Sequence, residues 1–316
     1  MSYNIVEFAK SIKIDLCKVQ NKPNLIFLCG GVIARTGELK SARDFFNRHL
    51  QRHKPALAQR VKLAEEVNAW FQKDDAFPDL LELEDYLAHL ADVTVLFVES
   101  PGSIAELGAF STSSVLRPRT LAVLNNSYGS GQSFITDGPV RKIKNENADL
   151  VHYYTWDPND LNSAATKKEF KELTKELSDF LEARDQLKAQ HVKFDSSQPG
   201  HVLLLIADLI RIPGVATKTD ISDCLSNIGI DVTKEVLDRY LSVLQSVGII
   251  TRHLRSNQTF FVRADSIAFV RYRYLDSAAL KDSQRIKATI HQGLEPIKRS
   301  VLRHALRASG KRRRRV

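Results

Sequence analysis

The sequence contains few cysteines and no long apolar run. Cys17, Cys29 and Cys224 are odd in number and widely spaced along the 316 residues, so they form neither a disulfide framework nor a zinc-binding pattern. The longest apolar run, 202–207, is too short to span a bilayer. Charged residues interrupt 1–20, where an export signal has its apolar core. These absences predict a cytoplasmic protein with no membrane partner.

Nucleotide and metal fingerprints are also missing. The pair Gly30-Gly31 stands alone, and the spacing GxGxxG of dinucleotide-binding loops does not occur. His49 and His53 have the spacing of two metal ligands on one helix, but basic residues and no carboxylate surround them. We therefore expect no metal site and no bound cofactor.

The composition is that of a globular protein with an uneven distribution of charge. Apolar residues make up 43% and charged residues 26%, and the length favours two domains. Residues 1–198 hold 25 Lys and Arg against 27 Asp and Glu, whereas 199–316 hold 21 against 10. Residues 281–316 alone hold 12 against 2. Such a basic tail points to a polyanionic partner, of which nucleic acid is the first candidate.

The front half alternates between strand and helix patterns. Short apolar runs predict buried strands at 25–29, 93–98 and 119–124. Helical spacing predicts helices at 39–50, 57–71, 80–91 and 104–111, and a long amphipathic helix at 166–190. Strands separated by helices favour an α/β fold, with a Rossmann-like parallel sheet and helices on both faces.

In such a sheet, ligands bind beyond the carboxyl ends of the strands. Three loops follow strands here: Gly30-Gly31, residues 99–106 and residues 125–138. Glu106 lies in the second of them, and it has two interpretations. It could complete a capping box with Ser103, or it could be a carboxylate facing the ligand crevice.

Several other residues near these loops are candidates for substrate contact. Ser41 and Arg43 could meet a phosphate or belong to a solvated helix face, and 133–139 could be a lid or an ordinary surface loop. The supporting catalytic or substrate-binding candidates are Asp92, Glu99 and Ser103. The substrate-binding candidates are Gly30, Gly31, Arg35 and Asn125.

The back half predicts a winged helix-turn-helix followed by the basic tail. Helical patterns at 202–210, 217–225 and 233–247 precede two β-like runs at 249–254 and 259–263. Residues 199–280 hold 9 basic and 8 acidic groups, so protein docking is as open an interpretation as DNA contact. The tail would bind phosphates without reading sequence, unless it serves only solubility. Its candidate residues are Lys298, Arg299, Arg303, Arg307, Lys311, Arg312, Arg313, Arg314 and Arg315.

Residues 91–110 read ADVTVLFVESPGSIAELGAF, and this stretch resembles the nucleoside 2-deoxyribosyltransferases. The strand that ends in Gly30-Gly31 is similar to that family's substrate loop. The whole layout, including the back half, resembles the toxin effectors of bacterial retron defence operons.

The resemblance implies that Glu106 attacks or stabilises the anomeric carbon of a nucleoside ribose. It implies N-glycosidic cleavage of NAD or a related nucleotide, with NAD as substrate and not as cofactor. Several family members have aspartate before the Gly-Ser or Gly-Thr pair, where this chain has Glu99-Ser100-Pro101, so hydrolysis is expected in place of transfer. The partners implied are a retron reverse transcriptase, its msDNA (a DNA–RNA hybrid), and further copies of the chain in a homo-oligomer or higher assembly.

The predicted organisation has four parts. Residues 1–165 form a deoxyribosyltransferase-like catalytic domain, 166–198 a connecting helix and linker, 199–280 the winged helix-turn-helix, and 281–316 the nucleic-acid-binding tail. The competing hypothesis is a nucleic-acid-binding regulator whose Rossmann-like domain senses a nucleotide without catalysis.

Overall fold

A computed structural model describes residues 4–34, 36–129, 133–186, 191–263, 265–275 and 283–313. The chain forms two compact units. The central unit is Pro23–Lys188, and the terminal unit combines Met1–Lys22 with Ala189–Val316. These bounds differ from the predicted ones, because the first residues belong with the back half and the predicted connecting helix belongs with the front.

The described residues form α-helices and mostly short strands. The helices are α1 (Ile5–Lys10), α2 (Ala42–His53), α3 (Pro55–Ala58), α4 (Ala64–Phe71), α5 (Leu80–Ala88), α6 (Pro101–Thr112), α7 (Arg141–Glu146), α8 (Ala164–Gln186), α9 (Pro199–Arg211), α10 (Lys218–Ile228), α11 (Lys234–Ser246), α12 (Ser283–Gly293) and α13 (Pro296–Arg313). The strands are β1 (Lys18–Gln20), β2 (Leu25–Cys29), β3 (Val61–Leu63), β4 (Ala91–Val98), β5 (Thr120–Asn125), β6 (Val151–Tyr154), β7 (His191–Lys193), β8 (Val215–Ala216), β9 (Thr251–Arg255), β10 (Gln258–Val262) and β11 (Val270–Arg271).

The central unit is built on a five-stranded parallel sheet in the order β3-β2-β4-β5-β6. The three predicted strands are β2, β4 and β5, and the mixed α/β class with a parallel sheet is confirmed. The chain moves from β2 to β3 on one side and then returns to β4 on the other. In doubly wound sheets the ligand crevice opens where the direction of winding reverses, which here is between β2 and β4.

Both faces of this sheet are buried. On one face, alternate residues of β2, β4 and β5 pack against α2 and α8, with Phe46 and Phe170 fully buried. Helices α4, α5 and α6 contact the same strands, and the intervening strand residues, such as Phe27 and Leu96, are buried as well. Helix α8 therefore completes the core of the central unit and is not a connector.

The predicted helix at 57–71 is wrong, because β3 interrupts it. Val61 and Leu63 lie opposite Ile26 and Leu28 of β2 and form the edge of the sheet. The apolar spacing of 57–71 fits one continuous helix, but an extended segment at 61–63 pairs with β2 and satisfies backbone N–H and C=O groups of β2 that a helix there would leave without partners. A three-residue edge strand leaves almost no period-two pattern to recognise.

The terminal unit contains α9, α10 and α11 followed by the hairpin β9–β10, in the predicted sequence of elements. A third strand, β8, joins β10 to give the order β8-β10-β9. Asp208 of α9 is fully buried, and its carboxylate accepts hydrogen bonds from Arg211 and Arg263. A separate small sheet has the order β11-β1-β7.

The segment 281–316, predicted as a basic tail, contains α12 and α13. Helix α13 buries Val301, Leu302 and Ala305 in a cluster with residues of β8 and β10, so its first turns are part of the packed terminal unit. None of the helices within the described ranges has the length and apolar character of a membrane span.

Candidate active site

Strand β4 leads directly into α6, and two serines close the turn between them. Ser100 is the N-cap, and its hydroxyl accepts the N–H of Ser103 at 3.2 Å. The Ser103 hydroxyl accepts the N–H groups of Ser100 and Glu99 at 2.8 and 2.9 Å. This reciprocal arrangement is a capping box, and it satisfies donors that the first helical turn leaves without partners. Ser103 therefore holds the loop in place.

Glu106 takes no part in this cap, so the predicted capping box of Ser103 with Glu106 is wrong. Its carboxyl is partly buried, and atom Oε2 is fully buried with no hydrogen-bond partner. Burial raises the pKa of Glu106 to about 7, while the charge of Arg43 lowers that pKa and the charge of Glu65 raises it. A carboxyl in this environment exchanges its proton near neutral pH and retains an unused acceptor atom.

Glu84 of α5 and Cys29 of β2 lie in electrostatic range of Glu106. Glu84 is 5% exposed, and burial followed by the charge of Glu106 raises its pKa to about 8. Cys29 is fully buried, and burial, Glu106 and Glu84, in that order, raise the pKa of its thiol. We call Cys29, Glu84 and Glu106 the acidic cluster.

Arg43 holds the Gly30-Gly31 turn, which directly follows Cys29 at the end of β2. Its guanidinium is fully buried and donates to the carbonyl oxygens of Leu28 at 2.6 Å and Gly31 at 2.9 Å. The same group forms a bidentate ion pair with Glu65, at 2.6 and 2.8 Å. Arg43 is thus committed to the protein interior, and its proposed contact with a substrate phosphate does not fit this geometry.

The Gly30-Gly31 turn needs glycine at both positions, because neighbouring atoms leave no room for a Cβ atom. Gly30 has φ +123°, and a Cβ atom there would lie 2.3 Å from the carbonyl oxygen of Phe97. A Cβ on Gly31 would lie 2.8 Å from Oε1 of Glu99. The backbone of this turn therefore lies against β4 and the carboxyl group that follows it.

Glu99 caps the N-terminus of α2 from the neighbouring loop. Its two carboxylate oxygens accept the N–H groups of Ala42 at 2.7 Å and Arg43 at 3.1 Å. Burial raises the pKa of Glu99, and these two N–H donors oppose the shift. The side chain has a defined structural task, and it also borders a cavity.

A cavity of about 330 Å³ lies at the carboxyl ends of β2, β4 and β5. Gly31, Ser41, Glu99 and Asn125 line it, so four residues that the sequence marks as candidates meet there. The Asn125 amide is held in place, since its Nδ2 donates to the Trp156 carbonyl at 2.7 Å. Glu106 does not line this cavity. Glu99, which borders the cavity, and the acidic cluster are separate features. Arg43 links them, because its backbone N–H donates to Glu99 and its charge lowers the pKa of Glu106.

Asp92 lies at the opposite end of β4 and does not join the site. It is the second residue of the strand, whereas Glu99 follows the last one. With about 3.3 Å per residue, roughly 20 Å of strand separates them. Asp92 forms an ion pair with Arg60 at 3.6 Å. Arg35 lies outside the described residues.

The predicted nucleic-acid contacts of α13 have different environments. Lys298 is largely buried and pairs with Asp220 at 2.9 Å, which makes it a structural cation. Arg299, Arg303 and Arg307 are exposed. The side chains of Lys311, Arg312 and Arg313, and all of Arg314 and Arg315, lie outside the described residues.

Sequence reasoning did not identify Glu84 or Glu65 and misjudged Arg43. One signal for Glu84 was present, because it occupies the same helical face as Leu83 and Leu87, where an acid is unexpected. No local pattern marks Glu65 as the partner of Arg43, since 22 residues separate them.

The model of the STM3845 retron effector protein family matches residues 39–252. This match covers more than half of the chain, and the chain belongs to the STM3845 retron effector family. Two Escherichia coli proteins are similar to it. The "Retron Ec86 putative ribosyltransferase/DNA-binding protein" is 37% identical over 135 residues, which is 40% of this chain and 39% of that protein. The "Retron Ec73 putative ribosyltransferase/DNA-binding protein" is 26% identical over 243 residues, which is 73% of this chain and 75% of that protein.

Proposed function

We propose that this retron effector is an N-glycosidase, related to the nucleoside deoxyribosyltransferases, that hydrolyses NAD or a related nucleotide with Glu106 at the reacting carbon. The observation that carries the proposal is the Glu106 carboxyl, which is excluded from the helix cap, has a pKa of about 7 and keeps one oxygen without a partner. The names of the two relatives, which include ribosyltransferase, support glycosyl chemistry.

The chemistry requires a negative charge beside the sugar. When the bond between C1′ and the base nitrogen breaks, the electron pair leaves with the base and positive charge develops on the ribose. An ionised Glu106 stabilises this charge or bonds transiently to C1′. Water then supplies the oxygen that remains on C1′ and releases a proton. For NAD the departing base is nicotinamide.

We also infer that the terminal unit contains a winged helix-turn-helix. Helices α9, α10 and α11 and the strand order β8-β10-β9 support this arrangement. Gly229, with φ +82°, ends α10 before the turn into α11. The relatives' names include DNA-binding, and the exposed arginines of α13 suit phosphate contact. We propose that a retron reverse transcriptase and its msDNA bind the protein and control the central unit, in a cytoplasmic assembly of several copies.

A second candidate is a nucleotide sensor without catalysis. The observation that favours it is the cavity itself, which is lined by Glu99 and Asn125 but not by Glu106. A cavity of about 330 Å³ is of the size that small-ligand sites have. A sensor would bind a nucleotide there and would not require the Glu106 carboxylate.

Chromatography of NAD incubated with the purified protein tests the first candidate. Wild type and Glu106→Gln are compared, each with and without the retron reverse transcriptase and msDNA. We expect nicotinamide release by wild type and none by Glu106→Gln, because the amide carries no charge for the developing cation. Release by both proteins at equal rates would overturn the role of Glu106.

Binding to nucleotides supplies the matched control. Glu106→Gln should bind the nucleotide that wild type cleaves, which shows that the site still folds. If wild type cleaves neither NAD nor any member of a nucleoside and nucleotide panel, yet binds one of them, the sensor is the correct candidate.

A further inference from the structure

His49 and His53 line a second cavity of the central unit, which we call the histidine cavity. Its volume is about 310 Å³, and helix α2 supplies most of its wall. The two imidazole rings lie side by side on α2, with their centroids 4.9 Å apart. A cavity of this volume is large enough for a small ligand, and the proposed reaction gives it no task.

The wall of the histidine cavity is basic. Besides the two histidines, Arg48 and Arg52 line it, and Glu38 is the one acid among its described lining residues. A concave surface with this composition suits an anionic ligand.

The two arginines have different tasks. Arg48 is committed to the protein, because its guanidinium forms a bidentate ion pair with the buried Asp44, at 2.9 Å for both contacts. Arg48 also donates to the Gly37 carbonyl oxygen at 2.8 Å and so holds the rim of the cavity. Arg52 is exposed, and its side chain forms no hydrogen bond or ion pair with any residue that the structure describes. Arg52 is therefore available to a ligand.

The histidines supply hydrogen-bond donors. Burial, followed by the charges of His53 and Lys54, lowers the pKa of His49, so its ring is neutral at pH 7. A neutral imidazole still donates one N–H, and within the described ranges neither ring has a hydrogen-bond partner. The described residues also place no third side chain of a metal-binding kind beside the pair.

The histidine cavity borders the cavity of about 330 Å³ that Glu99 lines, which we call the Glu99 cavity. Leu39 lines the first and Lys40 the second, and the same holds for Asn162 and Leu161. Consecutive Cα atoms are about 3.8 Å apart, so only a thin wall separates the two cavities. One extended ligand can therefore contact both.

We propose that the histidine cavity binds the phosphate groups of a nucleotide seated in the Glu99 cavity, with Arg52 as the charged contact and His49 and His53 as neutral donors. This inference deepens the proposed function and rests on it for the choice of a nucleotide. Charge-assisted bonds from arginine to phosphate are among the strong ones in proteins. The site thus selects nucleotides over nucleosides, because a nucleoside brings no charge to Arg52.

Isothermal titration calorimetry with ADP-ribose and adenosine, in buffer that contains EDTA, tests the site without requiring cleavage. Wild type should bind ADP-ribose at least about tenfold more tightly than adenosine. Arg52→Ala should lose about tenfold in affinity for ADP-ribose and keep its affinity for adenosine. Glu38→Gln, which removes a repelling charge, should gain about threefold for ADP-ribose.

Lys144→Ala is the control of equal charge change, since Lys144 is exposed on α7 and lines neither cavity. It should leave both affinities unchanged. An equal loss in Lys144→Ala, an unchanged affinity for ADP-ribose in Arg52→Ala, or a wild type that binds adenosine as tightly as ADP-ribose would overturn the inference.

A single-stranded DNA oligonucleotide is the second possible source of phosphate. If Arg52→Ala weakens binding of the oligonucleotide and not of ADP-ribose, the cavity belongs to a nucleic-acid surface and the inference is wrong. Loss for ADP-ribose alone supports it.

The kinetics of NAD hydrolysis separate this inference from the proposed function. Arg52→Ala should raise KM for NAD about tenfold with little change in kcat, because the phosphate contact is equal in ground state and transition state. Cleavage with an unchanged KM in Arg52→Ala would remove the phosphate site and keep the proposed function. If NAD is not cleaved, yet ADP-ribose binding depends on Arg52, the proposed function fails and the phosphate site stands.

Discussion

At the scale of the residue, the hydroxyls of Ser100 and Ser103 form the cap of α6 and so leave Glu106 outside it. Because the serines satisfy the first turn of α6 between them, the carboxylate has no part in capping. Arg43 and Glu65 neutralise each other at the turn, so burial remains the largest influence on the pKa of Glu106. The Glu106 carboxyl therefore takes part neither in the helix cap nor in the Arg43–Glu65 ion pair.

Replacing Gly30 by alanine should lower the free energy of unfolding of the central unit by at least about 2 kcal/mol. The new Cβ atom would meet the Phe97 carbonyl oxygen at 2.3 Å, and φ +123° is strained for alanine. Urea unfolding followed by tryptophan fluorescence measures this, because Trp70 and Trp156 both lie in the central unit.

Gly108→Ala is the matched control for this prediction. Gly108 lies within α6, and its Cβ would meet nothing within 4 Å. Alanine should therefore stabilise the helix by about 0.5–1 kcal/mol. Equal losses in the two variants would show that the approach of Gly30 to β4 is not the cause.

The stability of wild type should fall as pH rises from about 4.5 to about 8, in part because of Glu84. Its pKa is raised from 4.5 to about 8 in the folded protein, so its contribution is complete below pH 4.5 and is lost up to pH 8. The loss is at most about 1.4 kcal/mol per pH unit. Urea unfolding at several pH values should show a shallower fall for Glu84→Gln, and parallel curves would contradict the assignment.

At the scale of the element, α13 illustrates how a basic segment can also be part of a core. Its apolar residues recur with helical spacing at 301, 302 and 305, and they pack on β8 and β10. Lys298 adds an ion pair to Asp220 in the first turn of α10. The exposed side of the same helix carries the arginines.

Leu302→Ala should destabilise the terminal unit by about 2–5 kcal/mol, because it empties a packed site next to Gly214. Hydrogen exchange of α9 and β10 measures the loss. The control is Leu254→Ala on β9, where the side chain is 70% exposed and the expected change is within about 0.5 kcal/mol. A loss for Leu254→Ala as large as that for Leu302→Ala would show that burial on α13 is not decisive.

At the scale of the whole molecule, positive charge concentrates in the last part of the chain. Residues 281–316 contain twelve basic and only two acidic residues, whereas residues 1–198 have a small excess of acidic residues. Exposed cations that contact phosphates release counterions, so binding weakens with salt in proportion to the number of contacts. This distribution makes the terminal unit the part of the chain whose charge suits a polyanionic partner.

Arg303→Ala with Arg307→Ala should reduce the salt dependence of nucleic-acid binding, measured as the slope of log K against log salt, by about 1.8. Removing residues 311–316 should weaken binding and flatten the slope further. Lys54→Ala with Lys62→Ala is the control of equal charge change, since these lysines pair with Glu182 and Glu66. An unchanged slope in the arginine variant, or an equal change in the control, would refute the role of this surface.

Much of the fold could be predicted because its signals are local. The runs 25–29, 93–98 and 119–124 are apolar enough to mark buried parallel strands, and each lies within one residue or two of an observed strand. The short edge strand β3 could not be predicted, because its three residues continue a helical spacing. The place of α8 depends on what its apolar face covers, which sequence alone does not reveal.

The pattern of residues was enough to predict the parallel sheet, the loops at its carboxyl edge and the position of Glu106 after β4, because strands and helices follow from local periodicity. The groups that surround the Glu106 carboxylate became known only from the folded arrangement. Cys29, Arg43, Glu65 and Glu84 come from four different elements, and burial sets their charges together. The fold also places Asp92 away from the site. Asp92 lies at the start of β4, about 20 Å from the end of the strand that Glu99 follows, so its side chain cannot reach the site.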